Sequence, residues 1–332
     1  MKRTVWFLAC ALSLVSLLFG RTAQSQEIRK LNAAYTAVTG VMAPLWMAHD
    51  GGMFKRYGLD VNITSTPTGQ EGMNALIAGE LDFAQIAGST TAAASVGGAD
   101  VVVLATTSGT LAMSLMVTPA IQRPEDLKGK SLGIGRFGTS PETAARLALK
   151  HFGLEPIKDT AIVQIGAGSS IVAAMRGNRV QAGVFGYPFV TQAKREGFRE
   201  LLDIASLGIP YAFTGITTRR AVLQQDRNLV TSYIKAQLEA IARLKRDKAL
   251  AFQVMGKYLR TQDKETLEDS YEVFIVKYLK KTPLPTMEAF QAVLEELAQQ
   301  NPKAKGQDPR KFYDDSIIRE LDKSGFIDSL YR

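Results

Sequence analysis

Residues 31–86 read LNAAYTAVTGVMAPLWMAHDGGMFKRYGLDVNITSTPTGQEGMNALIAGELDFAQI, and their periodicity alternates between strand and helix. An apolar strand, Leu31 to Tyr35, runs into a Thr/Gly loop at Thr36, Thr39 and Gly40. A helix follows to about Tyr57 and ends at Gly58-Leu59, where glycine takes positive φ cheaply. A strand from Asp60 to Ser65, the loop Pro67-Thr68-Gly69, a helix from Glu71 to Ala78 closed by Gly79, and a strand from Asp82 to Ile86 complete the unit.

The same order returns from residue 131. The strand Ser131 to Gly135 meets the loop Gly138-Thr139-Ser140, and the next helix ends at Gly153-Leu154. A strand from Ala161 to Ile165, the loop Gly166-Ala167-Gly168, a helix closed by Gly177 and a strand from Gln181 to Phe185 follow. Two runs of one pattern predict two lobes, each a mostly parallel sheet covered by helices: an α/β protein. Leu111 to Val117 reads as a strand leaving the first lobe and Phe213 to Thr218 as one returning to it, so two strands side by side form a hinge. From Arg219 onward the pattern is helical, with amphipathic stretches at 229–246, 249–259 and 287–299, and this tail is expected to pack on the first lobe. The expected partition is a leader at 1–25, a first lobe of 26–113 with 217–332, and a second lobe of 114–216.

The leader follows from Lys2 and Arg3, the apolar run Val5 to Phe19, and Ala23-Gln24-Ser25, the layout of a cleaved secretory signal. The run is short for a membrane span. Cys10, the only cysteine, lies inside it, so a processed chain carries no thiol, which excludes disulfide scaffolds, cysteine nucleophiles and cysteine-ligated metals. His49 and His151 stand far apart, each near a helix C-terminus that favours positive charge, and no metal or cofactor is expected. Setting aside Lys2, Arg3 and Arg21 lowers the formal charge from +8 to about +5. No run of five or more like charges remains, so nucleic-acid binding has little electrostatic support.

Gly133-Ile134-Gly135-Arg136-Phe137-Gly138 fits the spacing of a dinucleotide-binding loop, but Gly133 and Gly135 fall inside the strand rather than in the turn. Ser89 lacks the G-x-S-x-G elbow of a hydrolase. What repeats is small hydroxyl residues at the expected strand-to-helix loops: Thr36 to Gly40, Gly88-Ser89-Thr90-Thr91, Ser108-Gly109-Thr110, Gly138-Thr139-Ser140 and Gly168-Ser169-Ser170. Ser140 reads as an N-cap with Pro141 at the first helical position. In open parallel sheets such loops line the ligand crevice, and helix N-termini there suit a small anion or polar ligand. Thr36, Thr39, Gly88, Ser89, Thr90, Thr110, Gly138, Thr139 and Ser140 are the candidate ligand contacts. Tyr35 and Tyr187 join them as pocket aromatics, hinting at a ligand with an apolar body.

The order of these pieces resembles the periplasmic substrate-binding proteins of ABC importers, of the nitrate/sulfonate/taurine type, which includes relatives that bind thiamine-pyrimidine precursors. The residues that carry the likeness are Pro44 to Ala48 with Gly52-Met53-Phe54, Tyr57-Gly58-Leu59-Asp60-Val61, Ala75 to Ala84, Asp126 to Gly133 and Gly186-Tyr187-Pro188. The resemblance implies a type II periplasmic-binding-protein fold, a monomer whose lobes close on a ligand at the hinge, and delivery to a membrane permease. It places contacts at Tyr35, Thr36, Gly88, Ser89, Thr90, Gly138, Thr139 and Ser140. The enzymatic relatives in pyrimidine synthesis need a cysteine-rich motif and a histidine, and a cysteine-free processed chain departs from that pattern. A periplasmic sensor and an exported enzyme are the alternative readings.

Overall fold

The computed structural model describes residues 28–332; the expected leader and Cys10 lie outside them. Ten strands form two five-stranded sheets. The first contains β1 (Arg29–Tyr35), β2 (Leu59–Ser65), β3 (Phe83–Ile86), β4 (Val101–Ser108) and β10 (Thr214–Arg219), in the order β2-β1-β3-β10-β4. The second contains β5 (Ser114–Val117), β6 (Lys130–Ile134), β7 (Thr160–Gln164), β8 (Ala182–Phe185) and β9 (Arg199–Asp203), in the order β7-β6-β8-β5-β9.

The two orders correspond strand for strand. Each begins with three parallel strands: Ala33 pairs with Ile63 and Phe83 in the first sheet, Leu132 with Ile162 and Ala182 in the second. Each then carries one antiparallel strand in fourth place, β10 or β5, which is the strand the chain uses to enter or leave that lobe. Gly215 stands where the register of β10 against β4 shifts; a Cβ there would meet the Ala105 carbonyl oxygen at 2.6 Å, so glycine permits the approach.

The crossings between the lobes run side by side. The Tyr211 N–H donates to the Gly109 carbonyl (3.0 Å) and the Phe213 N–H to the Ser108 carbonyl (3.1 Å). Of the stretch expected as a strand from Leu111, only Ser114–Val117 is one. The helix expected to run to Tyr57 is two helices, Ala43–Asp50 and Met53–Arg56, broken at Gly51-Gly52 where Gly52 has φ +71°.

On one face of the first sheet, Leu31, Ala33 and Phe83 pack under Ala43–Asp50 and the 20-residue tail helix Arg227–Arg246. Tyr233 of that helix lies stacked on Phe83 (3.8 Å between ring centroids) and on Phe54 (4.9 Å). Ala34 points the other way, into a smaller cluster with Met73, Leu76 and Ile86 beneath Gly69–Ala78.

The tail does more than the sequence suggests. Beyond the helix Lys248–Leu259 it leaves the first lobe, and Lys264–Tyr271 packs on Phe189–Arg195 of the second. Arg195 pairs there with Asp263 (2.6 Å) and Glu265 (2.5 Å), Thr191 donates to Asp269 (2.7 Å), and Tyr278 donates to Asp203 (3.1 Å). The chain then returns to β4, where the Thr106 N–H donates to the Pro283 carbonyl (2.9 Å). Amphipathicity marks which side of a helix is buried but not which neighbour covers it.

Candidate functional site

The carboxyl ends of the parallel strands in both sheets open onto one cleft. Its inner cavity, about 550 Å³, is lined from the first lobe by Thr36, Thr39, Thr68, Gly69, Ala87 and Thr90. The second lobe supplies Gly135, Arg136, Thr139, Ser140, Pro141 and Gln164, while Met113, Phe213 and Thr214 of the crossing region complete the wall. An outer cavity of about 490 Å³ shares Thr68, Gly69, Thr90, Arg136 and Thr139 with it and continues past Ser89, Phe137 and Gly138 to Glu296 and Gln300 of the tail.

Helix starts dominate the lining. Gly69–Ala78 is capped by Thr68, whose hydroxyl oxygen accepts from the Glu71 N–H (3.2 Å). Gly88–Val96 begins after Ala87 and Gly168–Arg176 after Ala167, neither with a side-chain cap. Ser140–His151 is capped in position by Thr139 rather than Ser140, contrary to the sequence expectation, and the Thr139 hydroxyl donates instead to the Arg136 carbonyl (2.6 Å). Three helix N-termini thus meet the cleft without a side-chain cap. Ser140 is 4% exposed and its hydroxyl has no partner among the described residues, an uncommon arrangement for a buried polar group in the protein alone.

The loop that presents Arg136 is fixed from below. The Gly138 N–H donates to Glu142 (2.7 Å), Arg146 donates to the same carboxylate (2.8 Å), and the Phe137 N–H donates to the Gln164 side chain (3.1 Å). Gly138 has φ +74°, the conformation this turn needs. Gly88 is a close-approach glycine: its N–H donates to the Ala212 carbonyl (3.0 Å), and a Cβ would sit 2.5 Å from that oxygen.

One carboxylate stands between the lobes. Glu296, on the tail helix Met287–Leu297, accepts from the hydroxyl of Tyr211 in the returning crossing (2.7 Å) and from that of Thr143 in the second lobe. Burial pushes the Glu296 carboxyl above the usual glutamate range, partly offset by those two hydroxyls. Tyr211 is itself held well above the usual tyrosine range by burial and by Glu296.

Of the residues singled out from the sequence, Thr36, Thr39, Thr90, Thr139 and Ser140 line the inner cavity, and Ser89 and Gly138 line the outer one. Four stand elsewhere. Gly88 is buried against Ala212. Tyr35 packs edge-on to Trp46 (5.5 Å) and Tyr258 (6.1 Å) because it shares strand parity with Leu31 and Ala33, which face the core. Thr110 opens no helix; it lies in the outgoing crossing with its hydroxyl toward the Ile209 carbonyl (3.5 Å). Tyr187 is buried beside Lys194, whose ammonium lies 3.5 Å from its hydroxyl, within reach of Glu200 and away from both cavities. The residues missed were Thr68, which stood in a quoted loop, Gln164 at a strand end, and Glu296, whose role depends on a contact 153 residues away.

Residues 24–255 match the model of a family described as the NMT1-like family. Among curated relatives, a putative binding protein of Bacillus subtilis, YtlA, is 25% identical over 240 residues, covering 68% of this chain and 70% of that one. Among solved structures, the periplasmic aliphatic sulphonate binding protein SsuA of Escherichia coli superposes with a TM-score of 0.72 at 18% identity, over 88% of this chain and 99% of that one. The periplasmic nitrate-binding protein NrtA of Synechocystis PCC 6803 gives 0.68 at 14% identity, over 90% and 89%. The fold is that of the periplasmic binding proteins, two α/β lobes about a cleft, and no helix among the described residues is long and apolar enough to cross a membrane. Because the family model spans more than half of the 332 residues, the chain belongs to the NMT1-like family.

Proposed function

We propose that the chain is the solute-binding receptor of an ABC importer, a periplasmic, non-enzymatic monomer exported by its leader. It takes a small anionic or polar organic ligand, a sulfonate, carboxylate or heterocycle, into the cleft and delivers it to a membrane permease. The observation that carries the reading is the inner cavity: two lobes and both crossings share it, three helix starts reach it uncapped, and the buried Ser140 hydroxyl beside it is unpartnered. A helix N-terminus favours a nearby anion by about 0.3–1 kcal/mol, so several converging on one ligand supply a directed but moderate pull. Arg136 adds a full charge, and Met113, Val41 and Phe213 offer apolar wall to the rest of the ligand. The first lobe, 26–113 with most of 217–332, and the second, 114–216 with the tail helix Lys264–Tyr271 seated on it, move as two bodies about the crossings, and the ligand draws the population toward the closed form.

A thermal-shift screen of sulfonates, nitrate, carboxylates and pyrimidines tests this. A ligand at a hundredfold excess over its Kd stabilises the folded chain by about 2.7 kcal/mol, a rise of several degrees in Tm. A hit confined to an anion or polar heterocycle is the expected outcome. A broad panel that leaves Tm unmoved overturns the receptor reading.

A further inference from the structure

Glu296 joins three parts of the molecule that have to move relative to one another if the lobes open. Its helix packs on Gly88–Val96 of the first lobe. Its carboxylate accepts from Tyr211 in the returning crossing and from Thr143, in the first turn of the second-lobe helix Ser140–His151. Among the described residues, the side-chain bonds between the second lobe and the tail form two groups. Those of Arg195, Thr191 and Asp203 with Asp263, Glu265, Asp269 and Tyr278 involve no residue that lines either cavity. The Thr143–Glu296 bond belongs to the cleft, because Glu296 lines the outer cavity and Thr143 sits just inside the helix whose start lines the inner one.

We propose that Glu296 is a positioning residue: a latch that holds the cleft closed by gripping Thr143, with Tyr211 fixing the carboxylate from the crossing. The idea takes the two-lobe opening from the function proposed above and adds what restrains it. Glu296 forms no ion pair among the described residues, and the nearby Arg146 is committed to Glu142 at 2.7–2.8 Å. Its charge is therefore met by the two hydroxyls. Opening removes one of them from a largely buried carboxylate, and hydrogen bonds to charged groups are the strong ones. Since an observed Kd is the intrinsic one divided by the fraction of chains in the binding-competent form, the latch raises affinity without touching the ligand.

The test needs no ligand, so it is independent of whether the screen finds one. Nitroxide labels on Glu80→Cys and Lys158→Cys, exposed positions in opposite lobes, report the inter-lobe distance by pulsed electron spin resonance; Cys10→Ser leaves them the only thiols. Thr143→Val keeps the shape and removes the hydroxyl, and it is expected to move weight in the distance distribution of the free chain from the closed to the open population. Thr143→Ser, which keeps the hydroxyl, is expected to match the unsubstituted chain, and Glu296→Gln to shift the same way as valine. If Thr143→Val overlays the unsubstituted chain, or lowers Tm with no change in distance, the latch is overturned. Thr143→Val decides the matter even where Glu296→Gln folds poorly.

Discussion

Trp46→Ala is expected to lower folding stability by about 3–5 kcal/mol, the range for truncating a large buried aromatic. Trp46 is fully buried in the helix Ala43–Asp50. Its ring stacks on Tyr258 at 4.7 Å with 5° between planes and takes the edge of Tyr35 at 5.5 Å. Alanine would leave a cavity lined by rigid rings from a strand and a tail helix, neither of which can collapse far. The indole N–H of Trp46 has no partner among the described residues, so Trp46→Phe removes an unsatisfied donor while keeping the stack, and is expected to cost much less. Urea unfolding with an unchanged m value reads both. A loss for alanine below about 1 kcal/mol would mean that the tail does not depend on this stack for its seat on the first sheet.

Thr90→Trp is expected to weaken ligand binding at least about 100-fold, roughly 2.8 kcal/mol, while moving the Tm of the free protein by only a few degrees. Thr90 lies in the first turn of Gly88–Val96, is half-buried, and lines the inner and outer cavities alike. An indole there occupies the space in which a ligand would meet Arg136 and the start of Ser140–His151. Thr90→Ser, which keeps the hydroxyl and shortens the side chain, is the control and is expected to bind within a fewfold of the unsubstituted chain. Undiminished binding by the tryptophan variant would move the site out of this cleft. A collapse of the free protein's stability would instead make Thr90 a core residue.

Much of the fold is visible in the residues themselves. Strand, hydroxyl or glycine loop, and glycine-closed helix follow one another at spacings local physics dictates, so these element ends fall within a residue or two of those expected. The exceptions have physical reasons. Val101–Ser108 is buried along its whole length, so it shows no alternation to read. Arg199–Asp203 is a short strand with no fully buried residue. In the cleft, small hydroxyl residues are legible because helix starts and turns require them locally. The aromatics mislead because a strand residue's face is set by parity, and Tyr35 counts with Leu31 and Ala33 toward the core. Glu296 could not be found at all: its partners Thr143 and Tyr211 are 153 and 85 residues away, and only tertiary packing brings them together.

The placing of β10 governs the order in which the chain can become a protein. It lies between β3 and β4, so the first sheet has a gap in its middle until residues 214–219 exist, and Thr218 reaches its partner Asp82 across 136 residues. The second sheet, by contrast, is made from one unbroken stretch, 114–203. During synthesis the amino-terminal segment therefore waits, unable to complete its own sheet, while everything that follows emerges. Such long closures fold slowly. A late keystone strand therefore orders assembly: the second lobe has all the strands of its sheet before the first can close its own.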